Sequence, residues 1–293
     1  MRILITILLI LSFGYTDGQQ VINAHVRYRG VVSAAAQDLL LDSFPGAAAA
    51  YSLRRIDKDA TLAIRVRKDT TGQPEQDIGF IGNHLDTVSL KSFLNARSGF
   101  VVTWYDQSGS GRNATQSVQA NQPFIALSGV IYRRNSLPSV YFGASGQLFL
   151  QHTLSSNISQ PGTVFLTAEY STTGSQVALS SNNLSTRWQV FQSSLGNQIS
   201  MFSGVTLFSG VLRNILAIQY ALFNGASSVI GVNTFTSSPG DAGTQATSAF
   251  RIGADPSTTG LRGYVSELII YNSNQSSNKN TIQSNINSYY GVY

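Results

Sequence analysis

Short runs of β-branched and aromatic residues recur along most of the chain, and clusters of Gly, Asn, Ser or Pro separate them. Such runs are typical of β-strands, and such clusters are typical of the turns between them. The runs that we predict to be strands are Thr61–Val66, Phe100–Tyr105, Ser139–Phe142, Thr163–Tyr170, Trp188–Gln192, Ile199–Phe202, Ile215–Phe223, Ser228–Val232, Ala249–Ile252 and Val265–Tyr271. About ten short strands at close spacing favour an all-β sandwich over a parallel α/β sheet.

Helical spacing of apolar residues is sparse. Leu90 and Leu94 fall on one face of a helix that Asp86 is suited to begin as N-cap. The segments that we predict to be short helices are Ser33–Leu41, Thr87–Asn95 and Ser277–Asn287. The chain has no internal repeat and no long linker, so we predict one sandwich domain over residues 39–293.

Residues 1–18 have the pattern of a secretory signal peptide. Arg2 precedes an apolar run over Ile3–Phe13, and Thr16 and Gly18 supply the small residues that a cleavage site needs. The apolar run is shorter than the about 20 residues that span a bilayer. A buried N-terminal strand is the alternative. We therefore predict cleavage after Gly18 and a secreted, extracellular protein without a membrane span.

Residues 19–38 follow as a predicted N-terminal strand and tether. Apolar and polar residues alternate over positions 20–29, which is typical of a strand with one buried face. The residues of the apolar face are Ile22, Ala24, Val26 and Tyr28. Either this strand closes an edge of its own sandwich, or it adds to a sheet of a neighbouring copy and links the protein into a linear homopolymer.

Composition narrows the functional classes. Charged residues make up 11% of the chain and hydrophobic residues 42%, which excludes intrinsic disorder. The chain has no Cys, which excludes disulfides, a Cys nucleophile and Cys-ligated zinc. The net charge is +5, but no basic groove with interleaved aromatic residues is visible, so we predict no nucleic-acid partner.

The most distinctive motif is the run Thr103–Gln116, TWYDQSGSGRNATQ. By itself it predicts a strand followed by a tight turn, in which Asp106 bonds the backbone and the glycines take positive φ. Three further runs accompany it, and they are Phe44–Arg54, Ala63–Arg67 and Gln76–Phe80. Together these runs resemble the catalytic domain of the arabinofuranosidase B family, over roughly residues 39–293.

The resemblance implies a fold, a ligand class and an activity. The fold is an all-β concanavalin A/laminin G-like jelly-roll sandwich with a few short helices, and the ligand is carbohydrate. Enzymes of the family use a glutamate nucleophile shortly before a Phe-Ser-Gly run and an aspartate acid/base in a Gly-x-Asp run. Here Gln198, an amide that cannot form the glycosyl ester, precedes Phe202–Gly204, whereas Asp255 matches the acid/base. The family's paired cysteines are absent.

Other roles for the acidic residues stay open. Asp255 is either a catalytic and sugar-binding carboxylate or a turn residue. Glu169 and Glu267 are further carboxylates that could replace the missing nucleophile. Their alternative is an ion pair, and the arginines that we consider as partners are Arg213, Arg251 and Arg262.

Some predicted binding and modification sites do not involve carboxylate chemistry. Trp188 is our candidate for an exposed platform on which a sugar ring stacks. The Asn-x-Ser/Thr sequons, which predict glycan sites in surface loops of a secreted protein, are at Asn113, Asn157, Asn183 and Asn274. We predict no metal site and no cofactor, apart from calcium held by Asp106 and nearby carbonyls.

These patterns favour a secreted, non-catalytic β-sandwich. Its function would be carbohydrate recognition or extracellular structural assembly, as a filament subunit that donates its N-terminal strand. An arabinofuranosidase-like glycoside hydrolase is the alternative.

Overall fold

The computed structural model describes residues 39–143, 147–212, 214–257 and 259–293. The predicted signal peptide, the N-terminal strand and Arg213 lie outside the described residues. Within those residues the helices are α1 (Leu40–Ser43), α2 (Thr87–Leu94) and α3 (Lys279–Tyr290), and two 3-10 turns cover Gln119–Asn121 and Gly225–Ser227. No helix in this part of the chain is long and apolar enough to cross a bilayer.

The same residues form many short strands. The first half of the chain contributes β1 (Ala47–Ser52), β2 (Leu62–Lys68), β3 (Glu75–Ile81), β4 (His84–Leu85), β5 (Gly99–Trp104), β6 (Ala114–Thr115), β7 (Phe124–Leu127), β8 (Val130–Ile131), β9 (Arg133–Arg134), β10 (Leu137–Pro138) and β11 (Val140–Tyr141). The second half contributes β12 (Leu150–Ile158), β13 (Gly162–Tyr170), β14 (Gln176–Ser180), β15 (Gln189–Gln192), β16 (Gln198–Phe202), β17 (Thr206–Leu212), β18 (Ala217–Phe223), β19 (Val229–Val232), β20 (Phe235–Thr236), β21 (Thr247–Ile252) and β22 (Gly263–Tyr271).

Antiparallel pairing arranges most of these strands in two layers, while β9 and β10 form a separate pair. Sheet I has the order β4-β3-β2-β5-β7-β11-β22-β13-β18-β19-β20, with β1 also paired to β22. Sheet II has the order β6-β12-β21-β14-β15-β16-β17. The pairing of β5 with β6 joins the two sheets. The predicted all-β sandwich of jelly-roll type is confirmed.

Two hydrophobic clusters form the core of the structure. The larger one lies between the sheets and includes Trp104, Phe142 and Phe250. The smaller one includes Phe165, Tyr271 and Ile282, which packs helix α3 against the outer face of sheet I. Because α3 covers only part of that face, the rest of it and the outer face of sheet II are the surfaces that a ligand can approach.

The α2 helix begins and ends as its sequence predicts. The Asp86 side chain accepts hydrogen bonds from the backbone N–H groups of Val88 and Ser89, and Asn95 ends the helix in the left-handed conformation. Each bond satisfies a backbone group that the helix leaves unpaired at its ends.

A buried ion pair connects Arg54, which follows strand β1, to Glu267 of β22. The Arg54 Nε and Nη2 atoms donate to the Glu267 carboxylate at 2.8 and 3.0 Å, and Ser52 Oγ donates to it at 2.6 Å. Glu267 is only 1% exposed. Burial opposes the charge on Arg54, but the Glu267 carboxylate raises the pKa of the guanidinium above its ordinary value. Glu267 therefore has a structural partner.

Two of the arginines that the sequence suggested as partners, Arg251 and Arg262, form no ion pair with either glutamate, and the third, Arg213, lies outside the described residues. Glu267 pairs with Arg54, and Glu169 pairs with Arg134 at a Nε–Oε2 distance of 2.7 Å. Both pairs join positions far apart in the chain, so neighbouring sequence carried no sign of them.

Candidate functional site

Asp255 follows strand β21 and holds a turn. Its Oδ1 atom accepts hydrogen bonds from the Ser257 N–H at 2.9 Å, the Ser257 hydroxyl at 2.7 Å and the Thr259 N–H at 3.1 Å. Its own N–H donates to the Thr259 carbonyl at 2.9 Å, and the residue is 6% exposed. This is the arrangement of a turn residue, one of the two roles that the sequence left open.

Gln198 lies at the start of β16, on a different strand. Its Oε1 atom accepts a hydrogen bond from the Gly210 N–H at 3.0 Å. Strands β14 and β15 separate β16 from β21, which places the two backbones on the order of 14 Å apart at the usual strand spacing. The strands of sheet II contain no Asp or Glu. The sheet therefore supplies no second carboxylate for the two-carboxylate chemistry of a glycosidase.

The charged neighbours of Asp255 are basic. Burial lowers the pKa of the Arg187 and Arg251 guanidinium groups, and the Asp255 carboxylate opposes this shift in both. Arg187 stacks on the Phe202 ring at 4.5 Å from its centroid, and Arg251 stacks on the Phe149 ring at 3.6 Å. Sequence reasoning did not select these two arginines as site residues.

Trp188 lies in the core, so the expectation of an exposed sugar platform was wrong. The side chain is 2% exposed, and its ring stacks on Phe223 with a centroid distance of 5.0 Å and an interplanar angle of 9°. Its Nε1 donates to the Gln245 carbonyl at 2.9 Å. Trp188 shares a strand face with buried Val190, and this period of two was the available signal for a core position.

The turn after β5 forms as predicted, but Asp106 is more engaged than a simple cap. Its carboxylate accepts hydrogen bonds from the Ala50, Ser108 and Arg112 N–H groups at 2.8–2.9 Å and from the Ser108 hydroxyl at 2.9 Å. Gly109 takes a φ of 78° there. No group of three or more metal-ligating side chains occurs within the described ranges. Both Asp106 oxygens already have protein donors, which leaves little capacity for calcium.

The four predicted sequons differ in accessibility. Asn157, Asn183 and Asn274 are exposed, although Asn157 lies within β12 rather than in a loop. Asn113 is half-buried, and its Oδ1 atom accepts a hydrogen bond from the Asp106 N–H at 3.0 Å. Asn113 is therefore the least accessible of the four.

A row of aromatic side chains crosses sheet I, and sequence reasoning did not find it. Phe100, Phe124, Tyr141 and Tyr264 lie directly opposite one another on β5, β7, β11 and β22. Successive ring centroids are 4.7, 6.3 and 4.8 Å apart, and Tyr132 packs beside Tyr141 at 4.7 Å. We call these five residues the aromatic row.

The aromatic row lies on the outer face of sheet I. The residues next to it along the strands, such as Val101, Val140 and Val265, belong to the core between the sheets, so the row points the other way. Four of its rings are half-exposed, and Tyr264 is 8% exposed. Burial, with a contribution from neighbouring tyrosines, raises the pKa of Tyr132 and Tyr141. Their hydroxyls therefore stay protonated and able to donate.

Arginine side chains lie at both ends of the aromatic row. Arg67 stacks over Phe100 at 4.3 Å, and Arg134 stacks over Tyr264 at 3.3 Å while paired with Glu169. Beside Arg67 there is an open pocket of about 300 Å³, whose lining includes Arg67, Gln73, Gln122, Phe100 and Phe124. The Arg67 Nε atom donates to Gln122 Oε1 at 2.7 Å. Flat apolar rings thus lead into a pocket rich in amide groups.

Neither a protein-family model nor a curated protein sequence matches this chain. Its fold, however, is similar to that of a GH54 α-L-arabinofuranosidase solved with a cyclic sulfate inhibitor, with a TM-score of 0.65 and 13% identity. It is similar also to an arabinofuranosidase complexed with arabinofuranosyl-α-1,2-xylobiose, with a TM-score of 0.62 and 12% identity. In both comparisons the match covers 82% of this chain and 62% of the other. The chain thus shares the sandwich fold of these arabinofuranosidases and spans less than two thirds of their length.

Proposed function

We propose that this protein binds carbohydrate without cleaving it, through the aromatic row and the adjoining pocket. The row carries the proposal, because its four half-buried rings offer an apolar surface to sugar rings, whereas Tyr264 lies beneath Arg134. The Gln73 amide in the pocket and the Tyr141 hydroxyl in the row supply polar groups. A few placed polar groups among aromatic side chains are typical of small-molecule sites.

Three observations support recognition without cleavage. The strands of sheet II carry no carboxylate, position 198 holds an amide, and Asp255 holds a turn. A glycosidase of the arabinofuranosidase type needs two carboxylates, about 5–5.5 Å apart in a retaining enzyme. The fold shared with arabinofuranosidases supports a carbohydrate ligand, whereas these residues favour recognition over hydrolysis.

Tyr141→Ala is expected to weaken binding to arabinan or arabinoxylan by about tenfold or more, because it removes the central ring of the row. Affinity electrophoresis in gels that contain each polysaccharide measures this. Phe235→Ala is the matched control, since Phe235 is 44% exposed but lies outside the row. Equal retardation of wild type and both variants would rule out the aromatic row as the binding surface.

Incubation with 4-nitrophenyl α-L-arabinofuranoside distinguishes a carbohydrate-binding protein from a glycoside hydrolase. We expect no nitrophenol release above background. Turnover that Asp255→Asn abolishes would show instead that the protein is a hydrolase and that Asp255 acts in it.

We also propose that copies of the protein assemble through donation of residues 20–30. The observation that favours this is the edge strand β17, which among the described residues pairs only with β16. No charged residue occurs between Trp188 and Leu212, and Phe208 and Leu212 are 38% and 61% exposed. Edge strands usually carry charges that discourage pairing. An uncharged edge with exposed apolar side chains suits the apolar face of a donated strand.

Deletion of residues 20–30 is expected to convert a polymer into monomers, because it removes the donated strand. Size-exclusion chromatography with light scattering measures the mass of each species. Phe208→Lys should have the same effect by placing a charge on the acceptor edge. A full-length protein that is monomeric at high concentration would contradict the assembly proposal and leave carbohydrate binding unaffected.

We propose further that the protein acts outside the cell. Secretion through the signal-like residues 1–18 is therefore part of the proposal, and in a eukaryotic host Asn157, Asn183 and Asn274 are the accessible glycan sites. Mass spectrometry of protein recovered from the medium would show a new N-terminus at Gln19.

A further inference from the structure

We infer that the outer face of sheet II holds a separate binding site for an anionic group, a carboxylate or a sulfate. The site consists of Arg187 and Arg251 with Ser180 and Gln189 between them. It lies on a different sheet from the aromatic row and does not depend on the carbohydrate proposal.

Strand register brings these polar residues together. Arg251 pairs with Ser180 across β21 and β14, and on its other side with Gln151 of β12. Leu179 pairs with Val190, so the next residues along, Ser180 and Gln189, lie side by side. Gln189 in turn pairs with Phe202, the ring on which Arg187 stacks.

All of these side chains belong to one face of the sheet. Leu179, Val190 and Ile252, which neighbour them along the strands, are in the core between the sheets. Because side chains alternate across a strand, Ser180, Gln189 and Arg251 point to the outer face. The polar groups therefore converge on one surface across four adjacent strands.

Three hydrogen-bond donors on this surface lack acceptors, although Arg251 Nη1 donates to Gln151 Oε1 at 3.5 Å. The Nε atoms of Arg187 and Arg251 and the Ser180 hydroxyl are buried without a hydrogen-bond partner, and Ser180 is 0% exposed. Buried polar atoms are nearly always satisfied in native proteins, and those that are not point to a missing ligand or water. Three such atoms lie close together on the outer face of sheet II.

The charge of the surface is positive. Neither Arg187 nor Arg251 takes part in a salt bridge within the described ranges. Asp255 is within electrostatic reach of both, but its Oδ1 atom is occupied by the donors of its own turn. Two guanidinium groups and one carboxylate leave one positive charge.

The stacking of the arginines suits them to bind an anion. The Phe149 and Phe202 rings hold the two guanidinium planes in place, so little side-chain freedom is lost when a ligand binds. A guanidinium offers a rigid fork of N–H donors that matches a carboxylate or a sulfate. Ser180 and Gln189 lie between the two forks.

Isothermal titration of the full-length protein with glucuronate, with inorganic sulfate and with glucose tests the site. We expect glucuronate or sulfate to bind, glucose to bind at least about tenfold more weakly, and the affinity to fall as ionic strength rises. Binding of glucuronate but not sulfate would identify a carboxylate site, and the reverse would identify a sulfate site.

Two substitutions with opposite expected effects distinguish an anion site from a structural cluster. Arg251→Gln should weaken anion binding about tenfold, whereas Asp255→Asn should strengthen it, because it removes a negative charge near the ligand. Arg133→Gln, a change at an exposed arginine elsewhere, should leave it unchanged. Thermal unfolding of each variant confirms that it is folded, and Arg187→Lys, which keeps the charge but loses the fork, replaces Arg251→Gln if that variant does not fold.

The inference is overturned if both anions bind no more tightly than glucose. It is overturned equally if the arginine variant used binds them as well as the wild type, or if Asp255→Asn weakens their binding.

Discussion

Replacement of Arg54 by Met is expected to lower the free energy of unfolding by about 3–5 kcal/mol, because it leaves the Glu267 carboxylate buried without its counter-charge. Glu267 is 1% exposed and receives two hydrogen bonds from the Arg54 guanidinium. The Ser52 hydroxyl at 2.6 Å would remain as a donor, but a hydroxyl does not compensate a full charge. Urea denaturation followed by tryptophan fluorescence measures the change.

The matched control is Arg133→Met, at an exposed arginine of β9 that bonds only nearby backbone carbonyls. Its expected effect is within about 0.5 kcal/mol. The double variant Arg54→Met with Glu267→Met should recover much of the stability, since a buried ion pair can often be replaced by apolar residues. A double variant as unstable as Arg54→Met alone would show that the Glu267 charge is not the cause.

Trp188→Ala is expected to lower the free energy of unfolding by about 3–5 kcal/mol through loss of burial and the cavity left behind. The Trp188 ring fills the space between Phe223 and Gly162, where a Cβ on the glycine would come within 2.0 Å of the ring. Binding to arabinan should be unchanged in a folded Trp188→Ala protein, since the ring has no exposed surface to offer a sugar.

Substitutions that change the volume at position 188 provide the control. Trp188→Phe should lose less stability than Trp188→Ala, because the smaller ring still packs on Phe223. Gly162→Ala should destabilise the wild type, yet have little effect or a stabilising one in the Trp188→Ala background, where the Cβ enters the vacated space. A stable Trp188→Ala protein that binds carbohydrate poorly would instead support the platform role.

The strands that were predicted correctly are those rich in residue types that favour strands. Thr163–Tyr170 and Val265–Tyr271 correspond to β13 and β22, which are rich in β-branched and aromatic residues. Strands β12 and β14 were missed, because Ser, Gln and Asn dominate their outer faces. Their pairing with β21 holds them in the sheet through backbone hydrogen bonds, which a residue pattern does not show.

Local sequence also predicted the features that depend on local contacts. Asp86 caps its helix by accepting a hydrogen bond from the backbone N–H of Ser89, three residues further along the chain. Asp106 accepts one from the N–H of Ser108 in the turn that follows it. In both, donor and acceptor are close in the chain, so residue type and spacing were sufficient. Trp188 was misjudged because a polar neighbourhood in sequence does not report which face of the strand is buried.

The runs of β-branched and aromatic residues between turn-forming clusters by themselves determined that this chain is an all-β sandwich, because such residues favour strands and the close spacing leaves little room for helices. The ligand surfaces were decided only by tertiary structure. The aromatic row draws Phe100 from β5 and Tyr264 from β22, and the anion site draws Arg187 from the segment before β15 and Arg251 from β21. Such side chains become neighbours through strand order and register, which depend on the summed packing of the whole core rather than on any one segment.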